Sequence, residues 1–149
     1  MHLTIEILID PQLMRVVRKI GLMAALEAGF GAAQSSEVEV ALSEALSDAF
    51  FHAHESSPGP VHVEIIVEGG ELTLLVRDES PALAAPPAVP TTLQEADGRG
   101  LYLMVHLMDR MDLVRPAQAG QGTLVRLVKR LESPPPGPTG DSHRLVLSI

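Results

Sequence analysis

Glu44, Asp48 and His52 recur at four-residue spacing within ALSEALSDAFFHAHE, residues 41–55. Four residues advance a helix by slightly more than one turn, so the three side chains line one face. That face lies away from the apolar stripe of the same segment. A carboxylate pair so placed can orient a water and hold a divalent cation through oxygen ligands, or it can be an ordinary solvated face. Asp78 ends the run ELTLLVRD. A carboxylate at a strand end can accept a hydrogen bond from an exocyclic amine such as that of adenine, or it can cap a turn. Asp97-Gly98-Arg99-Gly100-Leu101 stands at a helix start, where two glycines let backbone approach a phosphate and unpaired N–H groups favour an anion. Gly122-Thr123 opens a last strand. Each of these signals is weak alone.

The elements that must position them follow from periodicity. Residues 2–9 alternate as a strand with one buried face. Asp10-Pro11 reads as N-cap and first helical position, and Leu13, Val17, Ile20 and Ala24 follow at helical spacing until Gly29 or Gly31. Ser36 and Glu39 stand three apart as a capping box, which predicts a second helix from near Ser36. Its apolar stripe is Val38, Leu42, Ala45, Leu46, Ala49 and Ala53, and Ser56 to Pro60 stop it. Residues 61–67 and 71–77 form a hairpin about Glu68-Gly69-Gly70. The stretch 79–97, rich in proline and alanine, reads as a long loop. A helix from Gly98 to about Met108 and strands at 110–115 and 123–131 complete a domain over 1–132. Residues 133–149 are a Pro/Gly-rich linker and a strand-like tail, HRLVLSI, which could join its own sheet or a neighbour's. Helices over one face of a mixed, mostly antiparallel sheet make a two-layer α+β sandwich.

Composition narrows the function. The 149 residues suit a single core, and the core must be aliphatic because the chain has one Tyr, three Phe and no Trp. A formal charge of −8 argues against nucleic-acid binding, which needs clustered Lys and Arg. The densest basic group, Arg15, Arg18 and Lys19, is a short stretch of one helix that could meet an acidic partner. The absence of cysteine removes disulfides and thiolate chemistry and fits a cytoplasmic setting. No apolar run is long enough to span a bilayer, so no membrane is expected. A metal site built from Asp48, His52 and His54 is disfavoured, because His54 points to another helix face.

The order of the four chemical elements is more specific than any one of them. The sequence resembles the anti-sigma-factor serine kinases of the GHKL (Bergerat-fold) ATPase superfamily over roughly residues 1–131. Ala41 to Ala53 looks like that family's N-box helix, and Val76-Arg77-Asp78-Glu79 like the start of its first glycine box. Gly98 to Met104, followed by Leu107-Met108-Asp109, looks like its second glycine box, and Gly122-Thr123 like its closing Gly-Thr.

The resemblance implies ATP and Mg²⁺ as cofactors. It implies Glu44 as the general base, Asp48 at the magnesium-binding position, and Asp78 as the holder of the adenine amine with Thr123 assisting. Gly98, Arg99, Gly100 and Leu101 would border the phosphates, and the loop 79–97 would close over them. It further implies a sigma factor and an anti-anti-sigma protein as partners, and a homodimer. Two departures stand out: Asp48 replaces the family's Asn, and Asp78-Glu79-Ser80-Pro81-Ala82 replaces Asp-x-Gly-x-Gly. The alternative is a module on the same fold that has lost nucleotide affinity and acts by protein contact.

Overall fold

The computed structural model describes residues 1–8, 10–54, 59–79, 98–114, 122–131 and 144–148; the side chains of 52–54 and 144–148 fall outside that description. Along the chain run β1 (His2–Ile7), α1 (Pro11–Glu27), α2 (Ala32–His54), β2 (Val61–Glu68), β3 (Glu71–Arg77), α3 (Arg99–Leu107), β4 (Arg110–Val114), β5 (Leu124–Arg130) and β6 (Arg144–Ser148). The sheet order is β4-β5-β3-β2-β1-β6, antiparallel throughout except for the parallel β1–β6 pair. The expected mixed, mostly antiparallel α+β sandwich is therefore the observed architecture. The tail strand joins the chain's own sheet beside β1.

Strand alternation sends Ile5 and Ile7, Val61, Val63 and Ile65, Leu72, Leu74 and Val76, and Val125 and Leu127 into one core with the helices. Each such Leu or Ile stabilises the fold by about 1.5–3 kcal/mol when fully buried. From α2 the core receives Val38, Ala41, Leu42, Ala45, Leu46 and Ala49, which is the stripe read from the sequence with Ala41 added; its last member, Ala53, falls outside the described side chains. Gly21 of α1 lets the two long helices meet closely. A Cβ there would lie 2.6 Å from Leu42 Cδ2, so Gly21→Ala must shift the buried Leu42 side chain or part the two helices.

Helix ends follow local chemistry. Asp10 Oδ1 accepts the N–H groups of Gln12 at 2.6 Å and Leu13 at 3.4 Å, and Pro11 needs no acceptor. At the other end Gly29 takes φ +92°. Gly29 N–H then donates to the Leu26 carbonyl and Phe30 N–H to the Ala25 carbonyl, which is a Schellman ending.

The second helix differs from expectation. It begins at Ala32, four residues before Ser36, because Phe30 is buried and pulls the following turn into helix, with Ser35 Oγ donating to the Phe30 carbonyl. Ser36 and Glu39 therefore lie inside the helix. Glu39 instead accepts Lys19 Nζ at 2.8 Å and faces Arg18 Nε at 3.8 Å. Two of the three basic residues that could have met an acidic partner thus turn onto the chain's own α2. Among the described residues no helix is long and apolar enough to cross a membrane.

Candidate nucleotide-binding site

The acidic row of α2 meets the start of α3. Glu44 and Asp48 are both half-buried on one helix face, one turn apart. Gly100, in the first turn of α3, comes so close that a Cβ on it would lie 2.9 Å from Glu44 Oε2 and 3.5 Å from Asp48 Oδ1. The missing side chain is what lets the two helices converge there. The N-cap is Gly98, which offers no side-chain bond to the first turn, and no acidic residue stands in that turn. The first turn and positive dipole end of α3 are therefore beside two carboxylates supplied by another helix. His52 continues the row in sequence, but its side chain falls outside the described residues.

A second group forms where β3 leaves the sheet beside β5. Asp78 is only 3% exposed. Its N–H donates to the Thr123 carbonyl at 3.1 Å, and its Oδ1 accepts Thr123 N–H at 2.9 Å. Gly122 makes this closure possible. It takes φ +70°, and a Cβ on it would lie 1.7 Å from the Asp78 carbonyl oxygen, a position no side chain can occupy. Thr123 is itself buried, at 6% exposure.

The helix α2 packs on α3, β3 and β5, so one element braces both groups. From the far end, Lys129 Nζ donates to the Leu107 carbonyl at the end of α3, 2.7 Å away, and pairs with Glu37 of α2 at 2.6 Å. That clamp ties α3, α2 and β5 together. Sequence reasoning passed over Lys129, although alternation with Val125 and Leu127 puts it on the core side, where a lysine demands partners.

The remaining candidates are placed as follows. Arg99 is exposed at the first position of α3, and Gly98 precedes it. The Leu101 side chain enters the core at 8% exposure, so what it can present to a ligand is main chain. Ser80, Pro81, Ala82 and Asp97, with the rest of the expected loop after Glu79, lie outside the described residues. Among the described residues, cavities also lie elsewhere. One of about 230 Å³ sits between α1 and α2, against Met14, Arg18, Leu46 and Phe50. Another of about 600 Å³ lies on the helix-free face beside Ile66, Thr73, Leu75 and Arg126.

The donor set suits a nucleotide and a hard cation: carboxylate oxygens at Glu44 and Asp48, an uncapped helix start, and a recess at Gly100 that a Cβ would fill. Among the described residues, no group of three or more His, Cys, Asp or Glu side chains could by itself hold a metal ion. A cation here would therefore need further oxygens from its ligand or from water.

Comparison with known proteins agrees with this architecture. The histidine kinase-like ATPase domain family matches residues 8–129. The chain is 30% identical over 103 residues to the anti-sigma F factor of Anoxybacillus flavithermus, covering 64% of this chain and 69% of that relative. It is 31% identical over 103 residues to the anti-sigma F factor of Geobacillus thermodenitrificans, covering the same shares. It is 29% identical over 104 residues to that of a Thermoanaerobacter species, covering 66% of this chain and 71% of the relative.

Proposed function

Starting from the histidine kinase-like ATPase domain family, to which this chain belongs, we propose that the protein is an ATP-binding anti-sigma regulator that phosphorylates a serine of an anti-anti-sigma partner. The observation that carries the reading is the convergence of Glu44 and Asp48 on Gly100 at the start of α3. Similarity to proteins named anti-sigma F factor supports the sigma-factor side of it.

Each residue then has a defined task. Asp78 accepts the adenine amine, and its bond from Thr123 N–H fixes the direction of that carboxylate. Gly98, Arg99, Gly100 and Leu101 present main-chain N–H groups, and Arg99 a guanidinium, to the phosphates. Asp48 is a magnesium ligand. Two carboxylates already crowd the positive end of α3, so an added triphosphate requires a divalent cation to offset their repulsion. Magnesium ATP would supply the counter-charge and the phosphoryl group, which passes to the serine oxygen with ADP as the leaving group. Glu44 receives the proton of the incoming serine hydroxyl. The protein works in the cytoplasm as a homodimer in this reading.

A second reading is favoured by one observation. Ser80 and Ala82 stand where the family carries glycines, and if those positions require close approach of main chain to a purine, a Cβ there would intrude on it. A protein that binds its partners without nucleotide follows from that.

The two readings separate in one assay. The protein is incubated with γ-labelled ATP, Mg²⁺ and an anti-anti-sigma protein from the same organism. Label on a partner serine, lost in Glu44→Gln, supports the kinase. A stable complex with no label and no nucleotide requirement overturns it in favour of the binding module.

A further inference from the structure

The zigzag of β3 continues for two residues beyond its last ladder pair. His62 of β2 stands opposite Arg77, on the helix-free side, because its neighbours Val61 and Val63 face the core. Asp78 turns to the buried side, and Glu79 returns to the helix-free side diagonal to His62. There His62 Nε2 lies 3.2 Å from Glu79 Oε1, while Nδ1 lies 3.5 Å from Glu6 Oε2 of β1. Gly59 closes the slot from the other side. A Cβ on it would lie 3.2 Å from Glu79 Cβ and 3.3 Å from Glu79 Oε2.

The chain at Asp78 and Glu79 is therefore tethered in two directions. Toward β5 it is held by the two bonds between Asp78 and Thr123. Toward β2 it is held by His62 through Glu79. Because consecutive side chains point to opposite faces, any rotation of Glu79 off the sheet carries the Asp78 carboxylate with it. A hydrogen bond weakens steeply with angle, so that rotation would degrade what the carboxylate accepts.

We propose that His62 and Glu79 form a positioning pair that aims Asp78 and so sets the preference for adenine over bases lacking an exocyclic amine. Neither residue touches the ligand. The base preference rests on the reading of Asp78 given above; the tether itself does not.

The test uses the whole chain as wild type, His62→Ala and His62→Gln, with two readouts. The first is amide hydrogen exchange without nucleotide. In His62→Ala the amides of Asp78 and Thr123 should exchange about tenfold faster, the loss expected for one hydrogen bond, while amides at the middle of the β2–β3 ladder keep their protection. The second is the ratio of affinities for ATP and inosine triphosphate, in which a carbonyl replaces the amine. That ratio should fall about fivefold through weaker ATP binding, with inosine triphosphate unaffected. His62→Gln, which can still donate to Glu79, should recover most of both.

Unchanged exchange at Asp78 and Thr123 overturns the tether, and an unchanged ratio overturns its effect on base choice. If the wild type binds neither nucleotide, the proposed function and the base preference fall together, and the exchange data still decide the tether. Should His62→Ala not fold, Glu79→Ala removes the same contact at a half-exposed side chain and must give the same two changes.

Discussion

Asp78 and Thr123 hold one another twice, through the Asp78 N–H to the Thr123 carbonyl at 3.1 Å and the Thr123 N–H to Asp78 Oδ1 at 2.9 Å. The second bond fixes a carboxylate with little solvent around it, which is the arrangement a base-reading acceptor needs. Asp78→Asn keeps an oxygen for Thr123 but puts an NH₂ group where the adenine amine would approach. Thermal melting should move by no more than about 1 kcal/mol of stability. Binding of a fluorescent ATP analogue should be lost. Retained affinity would remove Asp78 from the base contact.

Gly122 is the residue whose replacement should cost most for its size. It combines φ +70° with an approach to the Asp78 carbonyl that a Cβ would reduce to 1.7 Å. Gly122→Ala is expected to destabilise by roughly 3 kcal/mol, the upper range for strained backbone, because neither strand end can retreat without breaking the Asp78–Thr123 bonds. Urea denaturation reads this directly. A wild-type midpoint in the variant would mean that the strand ends separate at little cost.

Gly100 should behave in the opposite way. Alanine is worth up to ~1 kcal/mol over glycine within a helix, which offsets the contact of its Cβ with the flexible end of Glu44 at 2.9 Å. Gly100→Ala should therefore melt close to wild type while binding nucleotide weakly, because its methyl fills the recess beside Glu44 and Asp48. Equal loss of stability and binding would mark Gly100 as a packing residue only.

Lys129 tests whether α3 is held from its far end. Lys129→Met keeps the aliphatic stem but leaves the Leu107 carbonyl and Glu37 without their cation. A loss of about 1–3 kcal/mol follows from stranding a part-buried acceptor. Faster amide exchange should be confined to the last turn of α3 and its junction with β4. Uniform loss of protection across the sheet would show that Lys129 supports the core at large.

Much of this was legible in the sequence because the signals were local. The Asp10-Pro11 start, the Gly29 stop, the Gly69-Gly70 hairpin and the alternation of β2 and β3 depend on residues within a few positions of each other. The meeting of Glu44 and Asp48 with Gly100 was legible only through the order of motifs along the chain, since helical spacing says which residues share a face but not what that face meets. What was missed depends on tertiary choice. Ser36 and Glu39 satisfy a capping pattern, yet burial of Phe30 carries the helix back to Ala32 and frees Glu39 for Lys19. Lys129 shares the alternation of Val125 and Leu127, but its partners, the Leu107 carbonyl and Glu37, come from α3 and α2 and do not show in the sequence. His62 and Glu79 are seventeen residues apart in sequence, and only the β2–β3 register makes them diagonal neighbours.

The central claim is that α2, the start of α3 and the ends of β3 and β5 together take a nucleotide with a divalent cation. The direct measurement is titration of the protein with a fluorescent ATP analogue, with Mg²⁺ and then with EDTA, for wild type, Asp78→Ala and Asp48→Asn. The account predicts saturable binding by wild type in Mg²⁺, none by Asp78→Ala, and stronger binding by Asp48→Asn than by wild type in EDTA, since one carboxylate facing the phosphates is gone. No signal from wild type at millimolar nucleotide with Mg²⁺ would contradict it.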